Sequence, residues 1–368
     1  MINLSTLTAA ALAPLLAPML AAGALQSAGG DALQPVAETL VEASGAPGGA
    51  VALSCDGTRS EAVAGLRIKD GAEPIQPGDL WHAGSNTKAM TATLAARLVE
   101  QGVISWDATL GETLAGLDVE IHPDLAEVTL LELLSHRSGI MANAGLLTMV
   151  RLAGADDNRD YSEDRLTLAR ALFGVPPAGP RGTFLYSNVG YTAAGLMLET
   201  AAGQSYEALM EREVFTPLGM ENVGWGAPGE AGVEDQPRGH AQGLFGLSAR
   251  EPGARADNPP AYNSAGRAHM PLDDLLDFLD AHLDQPRDYL SAQSWTRLHT
   301  APDGGDYALG WGVQPDGALL HAGSNTMWFI RMVVSPQAGC TAVSAVNSGA
   351  VDSVAGPTNN ALLEMLQR

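Results

Sequence analysis

Residues 82–102 combine a helical pattern with a serine–lysine pair, and they constrain the chain more than any other stretch. Met90, Leu94 and Leu98 recur every four residues, which predicts one apolar face of a helix. Gly102 stands where a left-handed C-cap would end that helix. The stretch therefore predicts a helix that packs through one face and ends near Gly102.

Ser85 opens this helix, and Lys88 follows three residues later. At that spacing the two side chains share one face, with Cβ atoms about 5–6 Å apart. The helix N-terminus offers Ser85 unpaired N–H groups and the positive end of the helix dipole. A partly desolvated lysine loses its proton more easily and can activate a neighbouring hydroxyl. The pair therefore predicts a nucleophilic serine, and an N-capping serine beside a solvated lysine is the alternative.

Lysine is rare in this chain, since only Lys69 and Lys88 occur among 20 basic residues and the others are arginine. The formal net charge is −22, and the sequence contains no basic block. Nucleic acids and anionic membrane surfaces attract clustered cations. We therefore expect no nucleic-acid partner and no binding to an anionic membrane surface.

Residues 1–30 differ in composition from the rest of the chain. Residues 9–25 are almost all small or apolar, and the first charged residue is Asp31. The length suits the apolar region of a secretory signal, with Ala22-Gly23-Ala24 as a cleavage site. The run is short for a membrane span and carries two prolines, so no stable span is predicted. We expect a periplasmic or secreted protein. Because no cation precedes the run, a retained apolar arm and a cytoplasmic location are the alternatives.

The two cysteines, Cys55 and Cys340, are too few for a disulfide scaffold or a cysteine-rich metal site. Each lies in an apolar, strand-like run. We therefore expect buried free thiols, with a single bridge between neighbouring strands as the alternative.

The remaining patterns indicate strands near both chain ends and helices between them. Strand patterns lie at residues 50–55, 60–68, 310–313, 327–334 and 340–346. Helical patterns lie at residues 31–42, 130–139, 189–202, 206–215, 272–283 and 360–367. The weak pattern of residues 141–182 predicts a segment that runs over the surface. The composition of residues 226–262 predicts a loop with short strands.

This order predicts an α/β (α+β) fold with one antiparallel sheet built from both chain ends and flanked by helices. We assign residues 31–80 and 265–368 to a sheet lobe, and residues 81–264 to a mostly helical inserted lobe. Because active sites commonly occupy the cleft between two such lobes, we expect the site there.

Tyr186-Ser187-Asn188 is a second candidate element. Among seven tyrosines, Tyr186 alone has an asparagine two residues later. A phenol beside a lysine cation can shift toward phenolate and serve as general base. The Asn188 amide can hold a substrate carbonyl or the lysine. A buried tyrosine with a satisfied hydroxyl is the alternative for Tyr186.

The third element repeats the first, because His-Ala-Gly-Ser-Asn-Thr occurs at residues 82–87 and again at 321–326. Only the first copy is followed by lysine, which makes Ser85 the nucleophile candidate. In the second copy, Gly323 permits close substrate approach, and an edge-strand N–H at Ser324 can face the site. With the N–H of Ser85 it would form an oxyanion hole.

These three elements, in this order, resemble the motifs of the serine β-lactamase and penicillin-binding-protein superfamily. More narrowly, the chain is similar to the branch of class C β-lactamases, D-alanyl-D-alanine carboxypeptidases, D-aminopeptidases and β-lactamase-like esterases. The similarity runs from about Asp31 to the C-terminus, with supporting stretches at residues 133–139, 215–220 and 309–312.

The resemblance implies a β-lactamase/transpeptidase-like fold and a covalent mechanism without cofactor or metal. It implies Ser85 as the acylated nucleophile and Lys88 with Tyr186 as the proton-transfer pair. It implies Asn188 and His321 as polar groups on the substrate side. The substrate would be a small-molecule or short-peptide acyl compound.

The chain departs from class C β-lactamases at the third motif, where His321-Ala-Gly replaces their usual Lys-Thr-Gly. A fixed cation suited to a substrate carboxylate is therefore lost. We expect a serine hydrolase acting as an esterase or as a peptidase or amidase. A D-alanyl-D-alanine carboxypeptidase, a β-lactamase and an acyltransferase are alternatives, and a noncatalytic penicillin-binding-like sensor is the alternative from another class.

Other site types lack their motifs in this sequence. There is no Gly-x-Ser-x-Gly elbow, no His-Glu-x-x-His pair and no Gly-rich phosphate loop of the right spacing. The eight histidines are scattered, and we interpret His136 and His240 as structural.

Overall fold

A computed structural model describes residues 30–153, 161–253 and 256–368. The predicted secretory signal and its cleavage site lie outside the described residues. None of the helices in these ranges has the length and apolar content needed to cross a bilayer.

Six antiparallel strands form the main sheet, in the order β2-β1-β11-β10-β9-β8. The first strand of the chain therefore pairs directly with its last strand, and the predicted sheet built from both chain ends is confirmed. The strands are β1 (Gly48–Cys55), β2 (Thr58–Gly65), β8 (Gly312–Val313), β9 (Leu319–Ser324), β10 (Phe329–Ser335) and β11 (Cys340–Val346).

The sheet is covered on both faces, which explains why its central strands are buried throughout. One face packs on the first and last helices through residues such as Leu33, Val51 and Leu362. The other face joins the larger core, where Ile330 belongs to the same cluster as Met90. Alternating residues of each strand thus serve two cores.

The helices are Gly30–Ser44, Thr87–Glu100, Leu110–Thr113, Pro123–Ala126, Leu130–Leu134, Leu146–Ala153, Tyr161–Leu172, Asn188–Ala202, Tyr206–Met210, Thr216–Leu218, Asn263–Gly266, Leu272–Asp284, Ala292–His299 and Val351–Leu366. A π-helical turn covers Glu211–Phe215, and 3-10 turns cover Gly84–Asn86, Pro260–Tyr262 and Pro302–Gly304. Five short strands complete the described fold: β3 (Trp81–His82), β4 (Gly224–Trp225), β5 (His240–Gly243), β6 (Gly246–Ala249) and β7 (Ala268–Met270).

The Thr87–Glu100 helix lies inside the larger core rather than at its edge. Its buried residues include Met90, Leu94 and Leu98 of the predicted apolar face, and also its polar first turn. Gly102 has φ 71°, the left-handed conformation predicted for the end of this helix. The polar groups of its first turn therefore need protein partners, because water does not reach them.

The prediction of a helix over residues 130–139 is wrong beyond Leu134. Thr129 and Glu132 form a capping box at the start of this helix. His136 adopts a left-handed backbone with φ 59°, which breaks the helical hydrogen-bond ladder. The residues that follow, Ser135 to Ser138, are polar but buried in a loop.

Two further segments hold more helix than predicted. The final helix begins at Val351 rather than at residue 360, and Pro357 lies inside it. The segment at residues 141–182 contains the Leu146–Ala153 and Tyr161–Leu172 helices. In the second of these, buried Arg165 pairs with Glu199 and Glu207, so a polar residue occupies a core position that hydrophobic periodicity does not reveal.

The expectation of two free thiols is wrong, because Cys55 and Cys340 form a disulfide. The register of β1 and β11 places the two residues directly opposite each other. The bridge closes a loop with a sequence separation of 285 residues and joins strands from the two chain ends.

The Cys55→Ser/Cys340→Ser double variant should lower the free energy of unfolding by about 2–5 kcal/mol, because the bridge restricts the unfolded chain. Urea unfolding followed by tryptophan fluorescence measures this. Reductant should lower the wild-type midpoint and leave the double variant unchanged. Identical midpoints for oxidised wild type and the double variant would contradict the bridge.

Candidate active site

Ser85 lies in the Gly84–Asn86 3-10 turn that leads into the Thr87–Glu100 helix. Gly84 takes φ 52°, a conformation that side chains disfavour, and so lets the chain turn sharply before the serine. Ser85 remains partly exposed, whereas the residues beside it are buried. Its hydroxyl is therefore the accessible polar group of this turn.

Lys88 is fully buried, and three oxygen atoms surround its amine. Nζ lies 3.1 Å from Ser85 Oγ, and it donates to Asn188 Oδ1 at 2.7 Å and to the Ala265 carbonyl at 2.5 Å. Burial lowers the pKa of Lys88 well below its usual value. No ion pair among the described residues involves this amine to oppose that shift.

The three partners determine which way a neutral Lys88 amine points. The Asn188 and Ala265 oxygens can only accept hydrogen bonds, so they take both protons of an uncharged amine. The remaining lone pair then faces the Ser85 hydroxyl. This arrangement can remove the proton of Ser85 without any movement of the lysine.

Tyr186 lies beside this pair, with Lys88 Nζ 4.9 Å from its ring centroid. Desolvation raises the pKa of Tyr186, and a hydrogen bond with Ser85 only partly opposes it. The expected shift toward phenolate is therefore reversed. It required a lysine cation, and the same burial favours the uncharged form of Lys88.

Asn188 is the first residue of the Asn188–Ala202 helix, whose N-cap Ser187 accepts a hydrogen bond from Gly190 N–H. Its Oδ1 holds Lys88, and its Nδ2 donates to Asn143 Oδ1 at 2.8 Å. Of the two partners expected for this amide, the structure shows the lysine. Asn143 has no sequence signal that predicts its contact with Asn188.

His136 packs against the Tyr186 ring and binds the backbone of the next residue. Its Nδ1 accepts a hydrogen bond from Ser187 N–H at 3.0 Å, and its ring centroid lies 4.1 Å from that of Tyr186. Burial lowers the pKa of His136, so the ring stays neutral and Nδ1 remains an acceptor. This structural histidine thus fixes the backbone that carries Tyr186 and Asn188.

The two copies of the repeated hexapeptide meet at their glycines. A Cβ added to Gly84 would lie 2.5 Å from the backbone nitrogen of Ser324, and one added to Gly323 would lie 2.8 Å from that of Ser85. The two backbone nitrogens predicted to form an oxyanion hole therefore belong to segments that pack directly against each other.

His321 lies on β9 but is only 3% exposed, and its Nε2 is 3.1 Å from the Tyr307 hydroxyl. Burial is the main cause that lowers the pKa of His321, to about 3. A histidine with the ordinary pKa of about 6.5 would become cationic in mild acid. His321 instead stays neutral there, and its role toward substrate stays a prediction.

The described residues contain no group of three or more histidine, cysteine, aspartate or glutamate side chains placed to hold a metal ion.

The family model named Beta-lactamase matches residues 33–364. Penicillin-binding protein 4 of Amycolatopsis lactamdurans is 30% identical over 178 residues, which cover 47% of this chain and 43% of that protein. Esterase EstB of Burkholderia gladioli is 27% identical over 247 residues, covering 59% and 60% of the two chains. The solved class C beta-lactamase from Rhodobacter sphaeroides has the same fold, with a TM-score of 0.70, 20% identity and coverage of 92% and 100%.

These two curated relatives are longer than the part that matches, because this chain spans only 43% and 60% of their length.

Replacing Gly323 with alanine should lower kcat/KM by about 100-fold or more, because the new Cβ would push strand β9 away from the backbone of Ala83 and Ser85. Hydrolysis of a neutral nitrophenyl ester measures the loss. Gly356→Ala is the matched control, since a Cβ there meets no atom within 4 Å. Equal activity of the two variants would show that the glycine contact does not shape the site.

Proposed function

Because this chain belongs to the beta-lactamase family, we propose that it is a serine hydrolase that cleaves an ester or amide through an acyl-enzyme on Ser85. One observation carries the proposal: the buried Lys88 Nζ lies within hydrogen-bond distance of Ser85 Oγ, Asn188 Oδ1 and the Ala265 carbonyl. An uncharged amine that donates its two protons to Asn188 and Ala265 directs its lone pair at Ser85 Oγ. A noncatalytic sensor has no need of a base poised in this way.

The proposed reaction begins when Lys88 takes the proton of Ser85 and Oγ attacks the substrate carbonyl carbon. The N–H groups of Ser85 and Ser324 stabilise the resulting oxyanion. The carbon–leaving-group bond then breaks, and neutral Tyr186 protonates the leaving group and recovers a proton from Lys88. In the second half, water attacks the acyl carbon, and Ser85 leaves with the proton that the water released.

We propose an uncharged ester or amide as the substrate class. His321 occupies the position of the motif's cation, and its pKa of about 3 leaves no charge there at neutral pH to attract a carboxylate. The similarity to an esterase over 247 residues supports this choice. The similarity to a penicillin-binding protein keeps D-alanyl peptides among the substrates to be assayed.

We propose a periplasmic or secreted location. The Cys55–Cys340 disulfide supports it, because such bonds persist mainly in oxidising compartments.

The nucleophile assignment predicts different effects at the two serines of the repeat. Ser85→Ala should lower turnover more than about a thousandfold and abolish labelling by a fluorophosphonate probe. Ser324→Ala should retain most of both, because only its backbone N–H is used. Similar losses at both positions would contradict the assignment.

Substrate preference should not change with mild acid. The ratio of kcat/KM for a neutral ester to that for a carboxylate-bearing cephalosporin should stay constant between about pH 5 and pH 8, because His321 gains no proton there. His321→Lys should shift the ratio toward the cephalosporin by adding a cation. A cephalosporin preference in the wild type that grows as pH falls through about 6.5 would contradict a neutral His321.

A further inference from the structure

Asp257 lies between the two copies of the repeated hexapeptide and bonds to both. Its Oδ2 is 2.8 Å from His82 Nε2, the first residue of the first copy. Its Oδ1 accepts a hydrogen bond from Asn325 Nδ2 at 3.0 Å, the fifth residue of the second copy. The carboxylate is 1% exposed, so protein groups alone satisfy it.

The contact with His82 extends to the turn that carries Ser85. Gly84 N–H donates to His82 Nδ1 at 3.1 Å, so this nitrogen must be unprotonated. The ring proton therefore lies on Nε2 and is donated to Asp257. The carboxylate thus fixes the tautomer that holds the backbone one residue before the nucleophile.

The contact with Asn325 extends to the second copy in the same way. Asn325 Oδ1 accepts from the N–H groups of Met327 and Trp328, which orients the turn between β9 and β10. Trp328 in turn stacks on His82 with ring centroids 5.4 Å apart. Asp257 and these rings therefore join the two backbone segments at one point.

Asp257 is held as an anion at this position. Burial alone would raise its pKa, but the Arg267 guanidinium and the hydrogen bonds from His82 and Asn325 lower it. Arg267 Nε donates to Asp257 Oδ2 at 3.2 Å, and Arg267 Nη1 donates to Asn263 Oδ1. A buried ion pair of this kind is weak evidence for stability and often serves to fix a geometry.

We propose that Asp257 is a positioning residue for the oxyanion hole, holding the N–H groups of Ser85 and Ser324 at the separation that the tetrahedral oxyanion requires. The proposal rests on the proposed function and adds to it a residue that touches neither substrate nor nucleophile. Asp257 acts through His82 on one side and through Asn325 on the other.

The decisive variant is Asp257→Asn. Its amide nitrogen, a donor, must replace one of the two accepting oxygens. If it faces His82 and Arg267, His82 must move its proton to Nδ1 or lose this contact, and if it faces Asn325, the bond to Asn325 is lost. A proton on Nδ1 would in turn oppose Gly84 N–H. We expect kcat/KM for a neutral ester to fall by about 100-fold, the scale of one lost oxyanion donor.

The readout that separates positioning from folding is the ratio of kcat/KM for an ester to that for its thionoester. Sulfur accepts hydrogen bonds poorly, so a working oxyanion hole favours the oxygen compound, and the ratio does not depend on the fraction of folded protein. Asp257→Asn should lower the ratio about tenfold. Asn325→Ala should lower it in the same direction and serves if the first variant does not fold.

Asn347→Ala is the matched control, because this buried amide bonds the backbone of Gly48, Leu66 and Arg67 but neither hexapeptide copy. It should leave the ratio unchanged. An unchanged ratio in both Asp257→Asn and Asn325→Ala, or an equal fall in Asn347→Ala, would overturn the positioning role. Failure of wild-type Ser85 to react with a fluorophosphonate would overturn the proposed function instead.

Discussion

Burial of a single amine, Lys88 Nζ, is the constraint on which the site depends. The helix that carries it lies inside the core, so the amine is desolvated and its uncharged form is favoured. The unfolded chain protonates this lysine below a pKa of about 10.4, so its contribution to stability becomes less favourable as pH falls. The Asn188 and Ala265 oxygens offset part of this cost and at the same time orient the lone pair toward Ser85.

The repeated hexapeptide shows that one sequence serves two structural roles here. The first copy forms a short strand and a 3-10 turn before the Thr87–Glu100 helix, whereas the second copy continues β9. Its histidines differ accordingly: His82 bonds a carboxylate, whereas His321 bonds a phenol. The two copies share one function, which belongs to their glycines: Gly84 and Gly323 allow the two backbone segments to approach closely.

Local spacing in the sequence predicts the Ser85–Lys88 pair, the main strands one by one and the left-handed end at Gly102, because each depends on neighbours within a few residues. The pairing of β1 with β11 joins distant segments, and the order of the elements along the chain predicted it. The sequence does not predict contacts made by distant segments. The Ala265 carbonyl has no side-chain signature, and Asp257 reaches His82 across a separation of 175 residues. The error at residues 130–139 has a local cause, since a histidine rarely adopts the left-handed backbone that His136 has. The reversed expectation for Tyr186 has a different cause, because desolvation depends on the whole fold.

The uncharged Lys88 amine is the central claim, and the protonation state of this residue can be measured directly. The sequence holds only two lysines, so ¹³Cε-labelled lysine gives two resonances, and Lys69→Arg assigns them. The account predicts that the Lys88 resonance keeps the chemical shift of a neutral amine at neutral pH and changes only at a pH well below about 10.4. A Lys88 resonance that titrates near 10.4 would show a charged lysine beside Ser85 and would contradict the account.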